Sequence, residues 1–181
     1  NAIDDNHIVT LTGIIKGNYA ENTPLTLTGK GEYQFTLTST KSGEDTIGFT
    51  IDGSDAKDSK VQKYVAGVPV AENSLFTVNP TQIIANDVNT ATLTVTLRDQ
   101  FDNVVDRDLE GHVMLDLTGI TKGVSAEVGG DSKFRYLGKG QYQLLMKSRE
   151  AGKDQVNFLL DGVAGKQPKE LVYVAGEVSL T

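Results

Sequence analysis

The chain has 181 residues, of which 24 are acidic and 17 are Lys or Arg, giving a formal net charge of −7. That balance argues against nucleic acid or an anionic lipid surface as a partner, because both need a concentrated basic face. The absence of cysteine excludes disulfides, thiol nucleophiles and thiolate metal sites, and no apolar run approaches the roughly 18 residues of a membrane span. The 19 glycines and frequent threonines favour strands and turns over helices.

An internal repeat organises the chain. Residues 29–34 read Gly-Lys-Gly-Glu-Tyr-Gln, and residues 138–143, 109 positions later, read Gly-Lys-Gly-Gln-Tyr-Gln. Further matches at the same spacing are Gly43 with Gly152, Asp45 with Asp154, Phe49 with Phe158, Asp52 with Asp161 and Tyr64 with Tyr173. A period of this size predicts two domains of one plan, at residues 1–69 and 70–181.

Each copy of the repeated phrase places two glycines just before a tyrosine. Glycine tolerates the backbone of a tight corner, and a tyrosine at a corner that opens a late strand is typical of immunoglobulin-like sandwiches. The predicted structural corner consists of Gly31 and Tyr33 in the first domain and of Gly140 and Tyr142 in the second. The predicted fold is therefore all-β, with tandem immunoglobulin-like β-sandwich modules.

The first domain is predicted to be incomplete. Its opening strand, residues 7–13, corresponds to residues 112–119, but only the second copy is preceded by a long segment of its own domain, residues 71–107. A half-covered sandwich exposes apolar surface and strand edges, so we expect a segment outside these residues, or a second chain in a strand-swapped dimer, to cover them. The side chains expected on the uncovered side are Tyr33, Phe35, Leu37, Phe49 and Ile51.

Strict alternation predicts strands at residues 33–38 and 142–146. After short turns, residues 46–51 and 155–160 are predicted to form the next strands and to pair antiparallel with the preceding ones.

The junction between the domains spans residues 63–70 and contains Pro69, which stiffens a short connection. In the second domain, residues 74–78 form a predicted strand that ends at a break near Pro80. Residues 91–97 alternate with period two, which places Leu93, Val95 and Leu97 on the inner face of a central strand.

Residues with catalytic potential are few. His7 and His112 occupy equivalent places in different domains, so we interpret them as strand-edge residues. No serine or threonine lies in a nucleophile motif with a nearby base, and the Gly-Lys-Gly phrase lacks the glycine spacing of a phosphate-binding loop. We predict no enzymatic activity, no catalytic or cofactor-binding residue and no cofactor.

The densest acidic cluster contains Asp99, Asp102, Asp106 and Asp108. Loop carboxylates can collect Ca²⁺, which takes six to eight oxygen ligands, but the spacing is not that of an EF-hand. A polar turn in which aspartate caps its own backbone is the more ordinary interpretation. No metal site is predicted.

A motif in the second domain consists of Pro80, Ala-Asn-Asp at residues 85–87 and the run Thr-Leu-Thr-Val-Thr-Leu-Arg-Asp-Gln-Phe-Asp-Asn-Val-Val at residues 92–105. It resembles the bacterial immunoglobulin-like domains of the intimin/invasin adhesin family, in which a proline-containing strand precedes an alternating threonine-rich strand, an Asp and a polar turn. Residues 70–176 cover one whole module of this kind, and residues 1–69 match its last two thirds. Val104 departs from the proline that the family often has beside the turn.

The resemblance implies an extracellular stalk or presentation segment of a Gram-negative surface adhesin, anchored to the outer membrane through another part of the chain. The implied partners are neighbouring immunoglobulin-like domains of the same chain and a host cell-surface protein or glycan, without membrane contact by this segment. Two alternatives stay open. One of the domains is itself the receptor- or glycan-binding module, or the chain is an accessory domain of a carbohydrate-active enzyme. The second has little support because an aromatic platform would have to come from six Tyr and six Phe without any Trp.

Overall fold

The computed structural model describes residues 7–19 and 25–177. The chain divides into two compact units, Asn1–Val65 (unit 1) and Ala66–Thr181 (unit 2). In the described residues, the regular structure is β-strand apart from three short 3₁₀ turns, so the predicted all-β fold is confirmed.

The strands are numbered in chain order. Unit 1 contains β1 Val9–Thr12, β2 Thr26–Gly29, β3 Glu32–Gln34, β4 Gly43–Ile51, β5 Ser54–Asp55 and β6 Lys60–Tyr64. Unit 2 contains β7 Leu75–Asn79, β8 Gln82–Ile84, β9 Ala91–Thr96, β10 Val113–Leu115, β11 Gly123–Ser125, β12 Arg135–Gly138, β13 Gln141–Ser148, β14 Gly152–Val156, β15 Phe158–Leu160, β16 Val163–Ala164 and β17 Lys169–Val174. The 3₁₀ turns are Glu110–His112, Leu117–Gly119 and Val128–Gly130.

Unit 2 is a two-layer immunoglobulin-like sandwich. In one layer, β13 pairs with β9 on one edge and with β11 and β12 on the other, while β7 lies beyond β9. The other layer combines the order β10-β15-β16 with the order β14-β17-β8, and only Asn157 separates β14 from β15. Leu93 and Leu144 from the first layer join Phe158 from the second in one buried core.

The central position of β9 follows from its sequence. Ala91, Leu93 and Val95 are completely buried, and the threonines between them are partly exposed, as expected for a strand whose side chains alternate between two faces. Leu97, just beyond the strand, is also buried. The predicted central strand and its inward-facing residues are confirmed.

The predicted pairing of consecutive strands is wrong. β13 pairs with β9, β11 and β12, whereas the following β14 and β15 pair with β17, β10 and β16 in the opposite layer. Leu144 and Phe158 both point into the core, so the turn after β13 carries the chain across the sandwich. The two strands therefore lie in opposite layers, and an apolar face of each is buried between the sheets.

The described strands of unit 1 repeat part of this pairing pattern and enclose a thinner interior. β4 pairs with β1, β5 and β6, and β2 pairs with β3. Among the described residues of this unit, Val9 and Asp45 are the buried ones. The predicted strand at residues 33–38 is also too long, since β3 ends at Gln34, whereas its counterpart β13 extends through eight residues.

Truncation of Leu93 tests the assignment of the core. We expect Leu93→Ala to lower the free energy of unfolding of unit 2 by about 2 to 5 kcal/mol, through lost burial and the cavity that remains. Leu117→Ala removes the same atoms from an exposed position and should cost less than about 1 kcal/mol. Chemical denaturation of both variants measures the difference, and equal losses would contradict the placement of Leu93.

Candidate functional site

The two histidines make the same local interaction in separate units. His7 Nδ1 lies 2.5 Å from a carboxylate oxygen of Asp52, and His112 Nδ1 lies 2.6 Å from one of Asp161. Both pairs are largely exposed. Each pair ties the start of one strand to the turn after another, consistent with the predicted strand-edge role.

The acidic cluster is divided among separate local structures. The buried carboxylate of Asp99 accepts hydrogen bonds from the backbone N–H groups of Gly67 (2.8 Å), Phe101 (2.9 Å) and Asn103 (3.0 Å). Asp106 accepts from the Tyr136 hydroxyl at 2.6 Å, which raises the pKa of that tyrosine to about 12.

The other two members of the cluster have different partners. Asp102 lies 3.8 Å from Arg98, and Asp108 caps the backbone of Glu110 at 3.0 Å. Within residues 7–19 and 25–177, no group of three or more His, Asp or Glu side chains is arranged to hold a metal ion. Asp99 and Asp108 accept hydrogen bonds from the backbone of their own turns.

The Gly-Lys-Gly phrase forms hairpin corners. It joins β2 to β3 in unit 1 and β12 to β13 in unit 2. The backbone at Gly138, Lys139 and Gly140 has φ values of 93°, 52° and 70°, a left-handed run that favours glycine. A Cβ on Gly140 would lie 2.5 Å from the Val104 side chain, so glycine also lets the corner approach the preceding loop.

Tyr142 is a buried hydrogen-bonded residue at the predicted corner. Its hydroxyl donates to the carbonyl of Arg107 at 2.6 Å and accepts from the N–H of Leu109 at 3.0 Å. At the repeat spacing, the counterparts of Arg107 and Leu109 do not fall on any described residue of unit 1, because residues 1–6 lie outside the described residues. No hydrogen bond of the Tyr33 hydroxyl is found in the part of the chain that the structure describes, so the corner role of Tyr33 stays a prediction.

Each unit contains a buried aspartate, Asp45 or Asp154, to which the residue pattern alone assigned no role. Asp154 accepts hydrogen bonds from the backbone N–H groups of Thr121 (2.8 Å), Lys122 (3.0 Å) and Gly123 (2.7 Å). The Tyr173 hydroxyl donates to the same carboxylate at 3.1 Å. Burial raises the pKa of Asp154, but these hydrogen bonds outweigh it and hold the pKa below its ordinary value.

Asp45 makes the equivalent set of hydrogen bonds in unit 1. Its carboxylate accepts from the N–H groups of Ile15, Lys16 and Gly17 at 2.9 to 3.1 Å, and from the Tyr64 hydroxyl at 3.2 Å. We call Asp45 and Asp154, with these donors, the aspartate anchors. The available sequence signal was the match of both the aspartate and the tyrosine at the repeat spacing.

Unit 1 also contains an apolar groove of about 400 Å³. Phe35, Phe49 and Ile51 are exposed there, although apolar side chains of this size are usually buried. The groove contains four of the five side chains predicted to be uncovered, all except Leu37. Its lining residues are His7, Val9, Leu11, Leu25, Gly31, Tyr33, Phe35, Phe49 and Ile51.

Most of unit 2 matches a known protein family. The family described as Invasin, domain 3 matches residues 70–176. The inverse autotransporter adhesin YeeJ of Escherichia coli (strain K12) is 36% identical over 86 residues, which are 47% of this chain and 4% of YeeJ.

Solved structures are also similar. Yersinia pseudotuberculosis InvD has a TM-score of 0.59 at 17% identity, over 97% of this chain and 49% of the InvD chain, and shows the same fold. The Escherichia coli adhesin FdeC has a TM-score of 0.49 at 22% identity, over 93% of this chain and 53% of that chain. Within the described residues, no helix is long and apolar enough to cross a membrane.

Removal of one hydroxyl tests the tyrosine corner. We expect Tyr142→Phe to destabilise unit 2 by about 1 kcal/mol or more, because the buried carbonyl of Arg107 and N–H of Leu109 lose their partner. Tyr19→Phe, a matched deletion in unit 1, should leave the unfolding of unit 2 unchanged. Unaltered denaturation of the Tyr142 variant would show that the corner bonds contribute nothing.

The aspartate anchor of unit 2 predicts acid sensitivity. A folded-state pKa below the ordinary value contributes stability that is present above the unfolded pKa of about 4 and is lost as the pH falls through the folded value. We expect Asp154→Asn to cost about 2 kcal/mol or more at neutral pH.

The cost of Asp154→Asn should shrink steadily below pH 4, as measured by denaturation from pH 7 to pH 2. The control is Asp102→Asn, at an exposed left-handed position that asparagine also tolerates. It should change stability by less than about 0.5 kcal/mol throughout. A cost for Asp154→Asn that does not depend on pH would contradict the anchor's charge.

Proposed function

The chain belongs to the invasin domain 3 family, as the motif at residues 80–105 predicted, and we propose that it is a stalk segment of a Gram-negative surface adhesin. Family membership makes unit 2 an immunoglobulin-like domain of a surface adhesin. In the proposed role, the segment spaces a binding tip from the bacterial surface, and another part of the adhesin anchors it in the outer membrane. The similarity to YeeJ, an inverse autotransporter adhesin, supports this location.

The direction of the chain through unit 2 is the observation that favours a spacer. β8 pairs in parallel with β17, matching Gln82 with Val172 and Ile84 with Val174. A hydrogen bond of 2.8 Å from Ala85 N–H to the Val174 carbonyl continues this ladder. Because the early strand and the last strand run in the same direction, the chain enters β8 at one end of the ladder and leaves β17 at the other. A pulling force on the two ends of unit 2 would load the hydrogen bonds between β8 and β17 together, in shear, rather than break them one after another.

The segment that enters unit 2 is also fastened. Gly67 donates its N–H to the buried Asp99 carboxylate at 2.8 Å, and Val70 N–H donates to the Arg98 carbonyl at 2.8 Å. Arg107 donates to the Gly67 carbonyl at 3.3 Å. A tensile force on the chain would therefore reach the sandwich within the first residues of the unit, as a stalk requires.

Replacement of the segment in the intact adhesin tests the proposal. Bacteria would display the adhesin with residues 70–176 intact, deleted, or replaced by an unrelated immunoglobulin-like module of equal length, and attachment to host cells would be counted. A spacer predicts that the replacement restores attachment to within about twofold of the intact adhesin, because only length is needed. The purified 181-residue chain, added to the same cells, should show no saturable binding.

The rival function, direct receptor or glycan binding by one of these domains, gives the opposite pattern. In that case the purified chain binds saturably and competes with the bacteria, and the length-matched replacement abolishes attachment. Surface display of each adhesin, measured with an antibody against a shared epitope, controls for loss of expression.

A further inference from the structure

A cavity lies in unit 2 where β7, at the edge of one layer, meets the segment between β16 and β17 of the other layer. It has a volume of about 330 Å³, at the small end of the range for sites that hold small molecules. Its lining residues are Glu72, Asn73, Ser74, Leu75, Phe76, Arg98, Asp102, Phe158, Lys166 and Gln167.

Two cationic side chains of this cavity are loosely paired. Arg98 lies 3.8 Å from the carboxylate of Asp102. Lys166 lies 3.9 Å from the carboxylate of Glu72. Other ion pairs of unit 2 close to as little as 2.7 Å. Exposed pairs contribute little to stability even when they are close, so both cations are available to a negative charge that enters the cavity.

Arg98 also has unused hydrogen-bonding capacity. Its Nε is buried and has no hydrogen-bond partner in the part of the chain that the structure describes. Its Nη1 reaches the Asp102 carbonyl at 3.4 Å, which is long for a donor that carries charge. A guanidinium presents Nε and one Nη side by side, in a fork that matches the two oxygens of a carboxylate. A carboxylate that draws the guanidinium towards the cavity would supply the missing partner.

The rest of the cavity suits a ligand body that carries hydroxyl groups. Gln167 brings an exposed side-chain amide to one wall. Asn73 donates from Nδ2 to the Asp99 carbonyl at 3.1 Å, which leaves its Oδ1 as an acceptor. Leu75, which is 51% exposed, adds an apolar surface against which the C–H groups of a sugar ring can pack. The cavity is also larger than a lone carboxylate needs.

We infer that this cavity binds one carboxylate group carried by a small hydroxylated molecule of the acidic monosaccharide class. Arg98 holds the carboxylate through its fork, Lys166 adds a second positive charge, and Asn73 and Gln167 bond the hydroxyl groups. The inference goes beyond the proposed function. A single site of this size has about millimolar affinity, which does not by itself attach a cell.

Titration of the isotope-labelled 181-residue chain with glucuronate, followed by amide chemical shifts, tests the inference. At constant ionic strength we expect saturable shifts at amides around the cavity, with a dissociation constant of about 1 to 10 mM. Glucose, which has the ring without the carboxylate, should cause no shifts at the same concentrations. Acetate, which has the carboxylate without the ring, should bind at least about fivefold more weakly.

The same titration distinguishes two sources of the acid. Methyl glucuronide carries a substituent where a sugar within a polysaccharide would continue. Binding as tight as that of glucuronate identifies a chain-linked acidic sugar as a ligand, and loss of binding identifies the free acid.

Variants assign the binding to the fork of Arg98. Arg98→Gln should weaken the binding of glucuronate by at least about tenfold, and Arg98→Lys, which keeps the charge without the fork, should weaken it less. Asp102→Asn removes the competing carboxylate and should tighten binding by about two- to fivefold. The control is Arg149→Gln, because Arg149 is exposed, pairs with Asp87 and lies outside the cavity. It should bind glucuronate as the unaltered chain does.

Four results would overturn the inference. They are the absence of saturable shifts up to about 50 mM glucuronate, equal shifts with glucose, binding of acetate as tight as that of glucuronate, and equal binding by the Arg98→Gln and Arg149→Gln variants. Amide shifts of β13, remote from the cavity, report whether each variant is folded. If Arg98→Gln does not fold, the tightening expected of Asp102→Asn decides the question. None of these results bears on the spacer, which the replacement in the intact adhesin tests.

Discussion

The buried carboxylate of Asp154 is the interaction on which the arrangement of unit 2 depends. It draws three consecutive backbone N–H groups, at residues 121–123, and the Tyr173 hydroxyl to one point. Thereby it fixes the loop before β11 against β14 and β17. A buried charge without hydrogen bonds would be strongly destabilising, so the loop and the carboxylate require each other. Gly123 is needed because a Cβ there would collide with the Tyr173 hydroxyl oxygen.

The equivalent aspartate anchor, Asp45, is relatively more important for unit 1 than Asp154 is for unit 2. There the apolar interior is thin, with Val9 as the buried hydrophobic residue among those described, yet Asp45 is buried and its hydrogen bonds are complete. Ser39 reinforces this end of the unit by donating to the Lys16 carbonyl at 2.6 Å, as Ser148 does to Lys122 at 2.7 Å. Directional polar bonds can thus hold the plan of a unit in which little apolar surface is covered.

Features that depend on one segment were predictable from the sequence. The alternation at residues 91–97 identified the inner face of β9 because strand side chains have a period of two, and the glycine phrase located the corners at β3 and β13. The family was predictable from the motif at residues 80–105. The exposed face of unit 1 was predictable because the repeat reveals which segment has no counterpart.

Features that depend on several segments were not predictable. The partners of β13 could not be read from the sequence, because a short turn is compatible both with a hairpin and with a crossing to the opposite layer. The aspartate anchors were missed because three donors to each aspartate are backbone N–H groups, which leave no mark in the residue pattern. For β3, the alternation predicted a strand that continues to residue 38. The strand ends at Gln34, and among the described residues it pairs with β2 alone.

Gly67 shows that the period of the sequence and the folded unit do not share a boundary. It ends the Tyr-Val-Ala-Gly phrase at residues 64–67, which returns at residues 173–176, yet its N–H bonds to Asp99 inside unit 2. A recombination event that exchanged modules after this glycine would transfer Asp99 without its original donor and leave that contact to whatever residue the new neighbour supplied. Exchange after Val65 would keep donor and acceptor together. A crossover that falls before Gly67 therefore keeps this contact within the transferred module.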